Sequence, residues 1–171
     1  MPSLGGRPVR VRFWPALSAW RGRLLSGKPR GTSVHAASFL RRRSIVFDAE
    51  LLEHPGELAR IFVHELFHLA WLRLGNPRRR SYEDLIAAEV RRHARGELGW
   101  SAERRKLSLA PADAGSRSRR WRDYVCESFC DTAAWLYAGV GRHPEFTLAT
   151  SLRKRRRRWF RNVWASSRIS I

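Results

Sequence analysis

The most distinctive pattern along the chain is an almost continuously apolar segment at residues 55–74. Pro55 suits the first turn of a helix, and Gly75 followed by Pro77 supplies a stop, so this punctuation predicts one helix over the segment. The apolar residues cover nearly the whole circumference of that helix, which is typical of a helix buried in the middle of a fold. These positions are Leu58, Ile61, Phe62, Val63, Leu66, Phe67, Leu69, Ala70, Trp71 and Leu72.

Upstream of this helix the pattern favours strands. Residues 34–48 hold two short apolar groups on either side of the basic triplet at residues 41–43, which is typical of two strands joined by a turn. The first 31 residues are rich in glycine, proline and arginine, and only the alternation at residues 9–13 indicates a further edge strand. We therefore expect a small antiparallel sheet in the amino-terminal third, preceded by an extension.

Downstream of the central helix, two shorter helical patterns follow. Ser81 followed by Asp84 resembles a capping box and predicts a second helix over residues 82–96. Ser101 suits the cap of a short helix that ends at Leu107. Together these elements form a helical insertion between the central helix and the next long one.

A third long helix is expected over residues 121–138, because its apolar positions recur at helical spacing and glycines follow it. The preceding residues 110–120 contain proline, glycine, serines and arginines, which indicates an exposed loop. A final helix over about residues 145–163 contains the block of six consecutive basic residues at 153–158.

Length and composition place these elements in one domain. A chain of 171 residues with 43% hydrophobic residues can build one core, and this composition excludes wholesale disorder. The expected fold class is α+β, a small antiparallel sheet followed by a helical core in which the first and third long helices cross. Within it we separate an extension at residues 1–31, a core at residues 32–150 and an arginine-rich helix or tail at residues 151–171.

Two further features bear on the compartment. No uncharged apolar run approaches the ~18 residues that a membrane span requires. The chain has two cysteines, Cys126 and Cys130, whose number and spacing do not make a disulfide framework. These features favour a protein of the reducing cytoplasm without a membrane span, and they leave the oligomeric state open.

The central helix also carries three polar residues whose burial needs compensation. His64, Glu65 and His68 match the motif HExxH, and histidines four residues apart project from one face of a helix. Both imidazoles can then bind one Zn²⁺ at about 2.0–2.1 Å, with the glutamate beside them. A bound cation would offset the cost of burying these groups, whereas the plainer alternative is a pair of hydrogen-bonded core histidines.

The third long helix supplies a carboxylate that could complete such a site. Glu127 would give a ligand set of two histidines and one glutamate, which leaves a position for water as catalytic zinc sites do. Asp131 lies one turn further along the same face, where it could accept the outer N–H of a ligating histidine. Asp123, one turn earlier, is a weaker candidate for that role. The alternative for Glu127 is an ion pair with one of the many arginines.

The HExxH motif and the later segment ESFCDTAA, which begins with Glu127, resemble the gluzincin metallopeptidases. The likeness is greatest to the small ImmA/IrrE-type proteins and covers residues 45–137. It implies a compact zincin-like core with three to four main helices and the HExxH helix in the centre. It also implies that His64, His68 and Glu127 hold zinc, that Glu65 is the catalytic base, and that a protein or peptide is the substrate.

A peptidase of this type needs a donor for the tetrahedral oxyanion and a place for an extended substrate. His143, which follows the glycine-rich end of the third long helix, and Tyr124, which lies close to Glu127 in sequence, are the two candidate donors. The strand at residues 44–47, directly before the motif helix, could offer an edge to the substrate. Cys126 and Cys130 are interpreted as packing residues.

The charge of the chain supports a rival hypothesis. The formal net charge is +19, and the basic block is followed by tryptophans that could stack on bases, so the tail could bind nucleic acid or an anionic membrane surface. A solvated tail is the plainer alternative. The rival protein would bind nucleic acid and use the same metal ligands structurally, with a fourth ligand such as Cys130 or His143 and a dispensable Glu65. An inactive zincin kept as a binder is a third possibility.

Overall fold

The fold is α+β, as predicted, with small sheets from the amino-terminal third followed by helices that form the main core. The computed structural model describes residues 3–27, 30–164 and 168–171. Parts of the predicted extension (residues 1–2 and 28–29) and of the predicted tail (residues 165–167) lie outside the described residues. Within the described residues, no helix combines the length and apolarity needed to cross a membrane.

Helix α1 (Pro55–Arg73) lies at the centre of the fold and carries the HExxH motif. It packs most extensively on helix α5 (Arg119–Tyr137), and strand β6 (Ala36–Phe39) contacts another side of it. Phe67 is fully buried against an aromatic cluster from α5 and helix α6 (Thr150–Trp164), formed by Phe129, Tyr137 and Phe160. The prediction of a buried central helix is confirmed.

A three-stranded sheet in the order β2-β7-β6 packs against α1. Strands β6 and β7 (Ser44–Asp48) form the predicted antiparallel hairpin, and Arg43 closes its turn in the left-handed conformation with φ of 47°. Strand β2 (Arg10–Trp14) is the predicted edge strand, but it pairs parallel to β7. The sheet is therefore mixed and not purely antiparallel. Its inner face is anchored by Phe47, which is fully buried and stacks on Phe62 of α1.

The rest of the amino-terminal segment is more ordered than the expected extension. Arg21 and Gly22 both have positive φ, 47° and 74°, and form a two-residue hairpin turn of the kind that matches strand twist. The backbone N–H of Leu17 donates to Asp48 Oδ2 at 2.7 Å, which ties the segment to the end of β7. The additional strands are β1 (Leu4–Gly5), paired with β8 (Ile169–Ser170), and an antiparallel sheet of β3 (Ser18–Trp20), β4 (Arg23–Leu25) and β5 (Thr32–Ser33).

Helix α2 (Asn76–Arg91) begins earlier than the predicted start at residue 82. Pro77 lies in its first turn, because a proline that ends one helix also fits the start of the next. Ser81 is inside the helix, where its hydroxyl oxygen accepts a hydrogen bond from the indole N–H of Trp159 at 2.7 Å. The predicted capping box at Ser81 is therefore wrong.

The short helix α3 (Trp100–Leu107) is confirmed, but its predicted cap is not. Gly99 occupies the N-cap position, and Ser101 lies within the first turn. The predicted exposed loop at residues 110–120 contains a further short helix, α4 (Asp113–Ser116), whose Asp113 is buried.

The last two predicted helices are present, but each starts at a different residue from the one predicted. Helix α5 begins two residues before residue 121, with Ser118 accepting the N–H of Trp121 as its cap. Helix α6 begins at Thr150 and not at residue 145. The preceding residues instead form an irregular segment that contributes to a cleft beside α1.

Candidate metal centre

The two helices that meet at the centre of the fold bring the three proposed ligands together. Nε2 of His64 and Nε2 of His68 are 3.2 Å apart. On the facing helix, Oε2 of Glu127 lies 3.3 Å from Nε2 of His64 and 3.9 Å from Nε2 of His68. All three side chains are largely buried, with 9%, 16% and 13% of their surfaces exposed.

These distances fit a divalent ion. Nitrogen and oxygen ligands at 2.0–2.1 Å in a tetrahedron are separated from each other by about 3.3–3.4 Å. Two of the three separations match that value, and the third is about half an ångström longer. The set is composed of imidazole and carboxylate, the donors that zinc takes in catalytic sites. The residues present therefore fit a zinc ion that leaves one position for water.

Asp131 orients the first histidine. Its Oδ1 lies 2.7 Å from Nδ1 of His64, so this ring nitrogen donates and the opposite nitrogen points its lone pair towards Glu127. Oδ2 of the same carboxylate accepts the backbone N–H of Ala102 at 3.0 Å, in the first turn of α3. Gly99 permits this close docking, because a Cβ there would lie 2.2 Å from Cγ of Asp131. Helix α3 thus holds the carboxylate of Asp131 in place, and Asp131 in turn orients the ring of His64.

The electrostatics of the cluster favour a cation. Burial by itself lowers the pKa of His64, but Asp131 and Glu127 outweigh it and hold that pKa well above 6.5. Burial likewise raises the pKa of Glu127, yet its hydrogen bond with His64 and the nearby charges of His68 and Arg105 bring it down to about 2. The carboxylates therefore attract positive charge between the rings, whether it is a proton or a metal ion.

Glu65 lies beside the ligand set and at the edge of an open cleft of about 920 Å³. One of its carboxylate oxygens is within 4.8 Å of a ring nitrogen of His64 and of a ring nitrogen of His68. Its Oε2 accepts a hydrogen bond from Oγ of Ser38 at 2.5 Å, so a residue of β6 positions it. Ala36, at the start of that strand, also lines the cleft.

The strand beside the cleft is not the one expected from the sequence. The segment 44–47 belongs to β7, which pairs with strands on both sides and has no edge to offer. Strand β6 forms the edge of the sheet and contacts α1. The hairpin was predicted correctly. Which of its two strands lies at the edge of the sheet depends on the long-range pairing of β2 with β7, which the local sequence does not reveal.

The two candidate oxyanion donors differ in their position relative to the cleft. His143 lines the cleft, but its Nε2 is 2.5 Å from Oε1 of Glu57, so it belongs to an ion-pair group at the cleft rim. Tyr124 is fully buried, and its hydroxyl donates to Oε1 of Glu97 at 2.5 Å. Tyr124 is therefore excluded as a donor to substrate in the cleft. Its proximity to Glu127 in sequence is misleading because its hydroxyl contacts Glu97, whereas the Glu127 carboxylate contacts His64.

Arg105 was missed from the sequence, and Asp123 was placed wrongly. Arg105 of α3 lies 3.1 Å from Oε1 of Glu127, so each oxygen of this carboxylate has a different partner. Asp123 is 45% exposed and pairs with Arg105 and Arg119, so it does not orient a histidine. One arginine among 34 basic residues gives no sequence signal for such a role.

The two cysteines pack in the main core, as interpreted from the sequence, and both also contact the second histidine. Sγ of Cys126 and Sγ of Cys130 lie 3.6 and 3.5 Å from Nδ1 of His68. The hydrogen bond from Cys130, helped by His68, lowers the pKa of the Cys126 thiol to about 6. A signal was available, because the two cysteines are four residues apart and therefore share one face of the helix.

The basic block at residues 153–158 is partly used inside the protein. Arg153 donates to backbone carbonyls of the preceding segment, and Arg157 lies over an indole ring. Arg156 is completely buried between Glu89 and Glu97, with N–O distances of 2.6 and 2.7 Å. The block is therefore in part a structural feature of α6 and not only a charged tail.

Arg60 organises the cleft rim. It bridges Glu57 and Glu145 at 2.8 and 2.9 Å, and Glu145 also accepts the backbone N–H of Trp100 at the start of α3.

Comparisons of the chain with protein-family models, with curated proteins and with solved structures find no match.

Proposed function

We propose that this chain is a zinc-dependent peptidase of the gluzincin type, similar to the small ImmA/IrrE-type proteins. The observation that carries the proposal is the convergence of His64, His68 and Glu127, from two separate helices, at separations that suit one tetrahedral ion. The HExxH motif alone guarantees only the two histidines. The carboxylate, 59 positions after His68 in the sequence, arrives through the packing of α5 on α1.

The residues around the ligands can carry the chemistry of peptide hydrolysis. A zinc ion held there would polarise a peptide carbonyl and lower the pKa of a bound water towards about 7. Glu65 accepts the proton of the attacking water and later donates it to the departing amine. Ser38 holds one oxygen of Glu65, which leaves the other for the water. Asp131 keeps His64 in the tautomer that ligates.

The substrate would lie in the cleft as an extended chain. The edge strand β6 has backbone groups available for strand addition, and it runs past the catalytic glutamate. His143 remains the candidate for contact with the oxyanion, because it lines the cleft, although it must first exchange its contact with Glu57. The expected substrate is therefore an unfolded segment of a protein. The free thiols agree with a reducing cytoplasm as its location.

The alternative is a nucleic-acid-binding protein with a closed, structural metal site, and it draws on the net charge of +19. A closed site would need a fourth protein ligand. Of the two residues expected for that role, Cys130 lies against Nδ1 of His68, away from the ligand nitrogen, and His143 pairs with Glu57. This arrangement, together with the adjoining cleft, favours the open catalytic site.

Metal analysis of the purified protein is the first test. The parent chain should contain one zinc ion per molecule, and both His64→Ala and Glu127→Ala should lose it. An equal zinc content in all three proteins would contradict the ligand assignment.

The second test separates catalysis from structure. Glu65→Gln should keep its zinc and lose about 10²–10⁴-fold in the cleavage of a quenched fluorescent peptide library. The control is Glu53→Gln, which alters an exposed glutamate just before α1 and should be fully active. If Glu65→Gln and the parent bind zinc and nucleic acid alike and neither cleaves peptides, the structural alternative is correct.

A further inference from the structure

The contacts of His68 extend beyond the proposed zinc ligands. Its Nε2 faces His64 and Glu127, whereas its Nδ1 faces the sulfur atoms of Cys126 and Cys130. The two sulfur atoms and Nδ1 all lie within 4.8 Å of one another. The proposed mechanism of peptide hydrolysis does not use either thiol.

The spacing of these three atoms suits a second metal ion. With metal–sulfur bonds of about 2.3 Å and metal–nitrogen bonds of about 2.0–2.1 Å, tetrahedral geometry places sulfur and nitrogen about 3.5 Å apart. The observed separations from Nδ1 of His68 are 3.6 Å for Cys126 and 3.5 Å for Cys130. Both cysteines come from one helix and the histidine from another, so the packing of α5 on α1 preforms this set as it does the first.

The chemistry of the donors differs between the two sets. Imidazole and carboxylate suit zinc and other borderline ions, whereas thiolates bind zinc and also soft ions such as Cu(I), which carboxylates bind poorly. Cys130 is completely buried, whereas Cys126 is partly exposed.

We propose that Cys126, Cys130 and Nδ1 of His68 form a second metal site, for a thiolate-preferring cation. Binding requires both sulfur atoms as thiolates and a free lone pair on Nδ1, so it releases the protons that these three atoms carry and forms two metal–sulfur bonds and one metal–nitrogen bond. A neutral imidazole has a single lone pair, so an ion bound at Nδ1 withdraws His68 from the zinc ligand set. Soft ions therefore compete with zinc through this shared ring. The proposal does not depend on peptidase activity.

Titration of the reduced, metal-free protein with Cd²⁺ tests the site, because thiolate–cadmium bonds give an ultraviolet charge-transfer absorption that histidine and carboxylate ligands do not. The chain has no other cysteines, so this absorption has no background from elsewhere. We expect saturation at one thiolate-bound Cd²⁺ per chain in the parent and in His64→Ala. Loss of one ligand in His68→Ala should weaken Cd²⁺ binding by more than about tenfold.

Two results would overturn the proposal: absence of thiolate absorption in the parent, or an undiminished Cd²⁺ affinity in His68→Ala. A measurement on the unaltered chain guards against misfolded variants. Cd²⁺ should protect Cys126, the partly exposed cysteine, from alkylation by iodoacetamide, as followed by mass spectrometry. Equal alkylation of Cys126 with and without Cd²⁺ would also refute the site. Failure of the peptidase proposal would appear separately, as zinc-loaded protein without Glu65-dependent cleavage.

Discussion

Helix α5 takes part in two buried polar clusters that differ in how their charges are matched. In the arginine cluster, Arg156 lies between Glu89 and Glu97, and Tyr124 donates to Glu97. All four of these side chains have 0% exposure. Lys106 lies 3.4 Å from Glu97 and supplies a second positive charge. Two carboxylates are thus balanced by two cations, and the cluster is complete without a ligand.

The histidine cluster, formed by His64, His68, Glu127 and Asp131, is arranged in the opposite way. Its two ring nitrogens and one carboxylate oxygen converge on the same small volume. When both rings carry their proton on Nδ1, all three atoms are acceptors, and a cation between them satisfies them together. One side of the cluster opens into the cleft through His64. Burial of charge alone therefore does not indicate function, because the arginine cluster is complete in itself. The proposed metal site depends instead on convergent acceptors next to a cavity.

The largest expected effect is on the arginine cluster. Arg156→Ala leaves Glu89 and Glu97 buried without their main partner, which should lower the free energy of unfolding by about 3–5 kcal/mol. Urea denaturation measures this loss. The matched control is Arg158→Ala, an exposed arginine of the same basic block, for which a change within about 0.5 kcal/mol is expected. Equal effects of the two substitutions would mean that the arginine cluster contributes nothing specific.

The histidine cluster should respond to metal instead. Zinc at 100 times its dissociation constant should stabilise the parent by about 2.7 kcal/mol, because the ion binds the folded chain. Urea denaturation with and without zinc measures this difference. In His64→Ala the increment should vanish, whereas in Arg158→Ala it should be complete. A similar increment in His64→Ala would place the zinc elsewhere in the protein.

The two clusters also differ in how far the sequence predicts them. The histidine pair and Glu127 could be identified because local spacing fixes His64 and His68 on one face of an apolar helix, and an acid in a second apolar helix needs a partner. Arg156 could not, because a run of six basic residues resembles a solvated surface. Its partners lie 67 and 59 positions away, and only tertiary packing brings them to it.

The same distinction applies to the fold. The predicted helices and the hairpin at residues 34–48 follow from local periodicity and turn residues, and they are confirmed. The short strands of the amino-terminal segment are two to five residues long and exist through pairing with distant partners, such as β1 with β8. Such strands leave little periodicity in the sequence. The early start of α2 was missed because Pro77 is compatible with both ending and beginning a helix.

A smaller effect is expected from the residue that supports the histidine cluster. Asp131→Asn keeps the size of the side chain but weakens the hydrogen bond to Nδ1 of His64 and removes the negative charge. Zinc affinity should fall by about 10–100-fold, measured by competition with a chromophoric chelator. Asp123→Asn is the control, because this carboxylate is exposed and pairs only with arginines among the described residues. An unchanged affinity in Asp131→Asn would show that α5 and α1 position the ligand without it.

The smallest expected effect is a dependence on pH. It tests whether a proton and a metal ion are alternative cations in the histidine cluster. The folded-state pKa of His64 lies above its ordinary value of 6.5, because Asp131 and Glu127 outweigh the effect of burial. In the metal-free parent this contribution to stability is complete below pH 6.5 and is lost as the pH rises through the raised folded-state pKa. Zinc affinity should increase over the same range, since the proton must leave before the nitrogen can ligate.

Urea denaturation and chelator competition between pH 6 and pH 9 measure these opposite trends. In His64→Ala both dependences should be flatter than in the parent, because the shared nitrogen is missing. If zinc affinity and metal-free stability instead rise together with pH in the parent, the proton and the zinc ion do not compete for the same nitrogen of His64. The histidine cluster would then resemble the arginine cluster, with charges that are already matched within the protein.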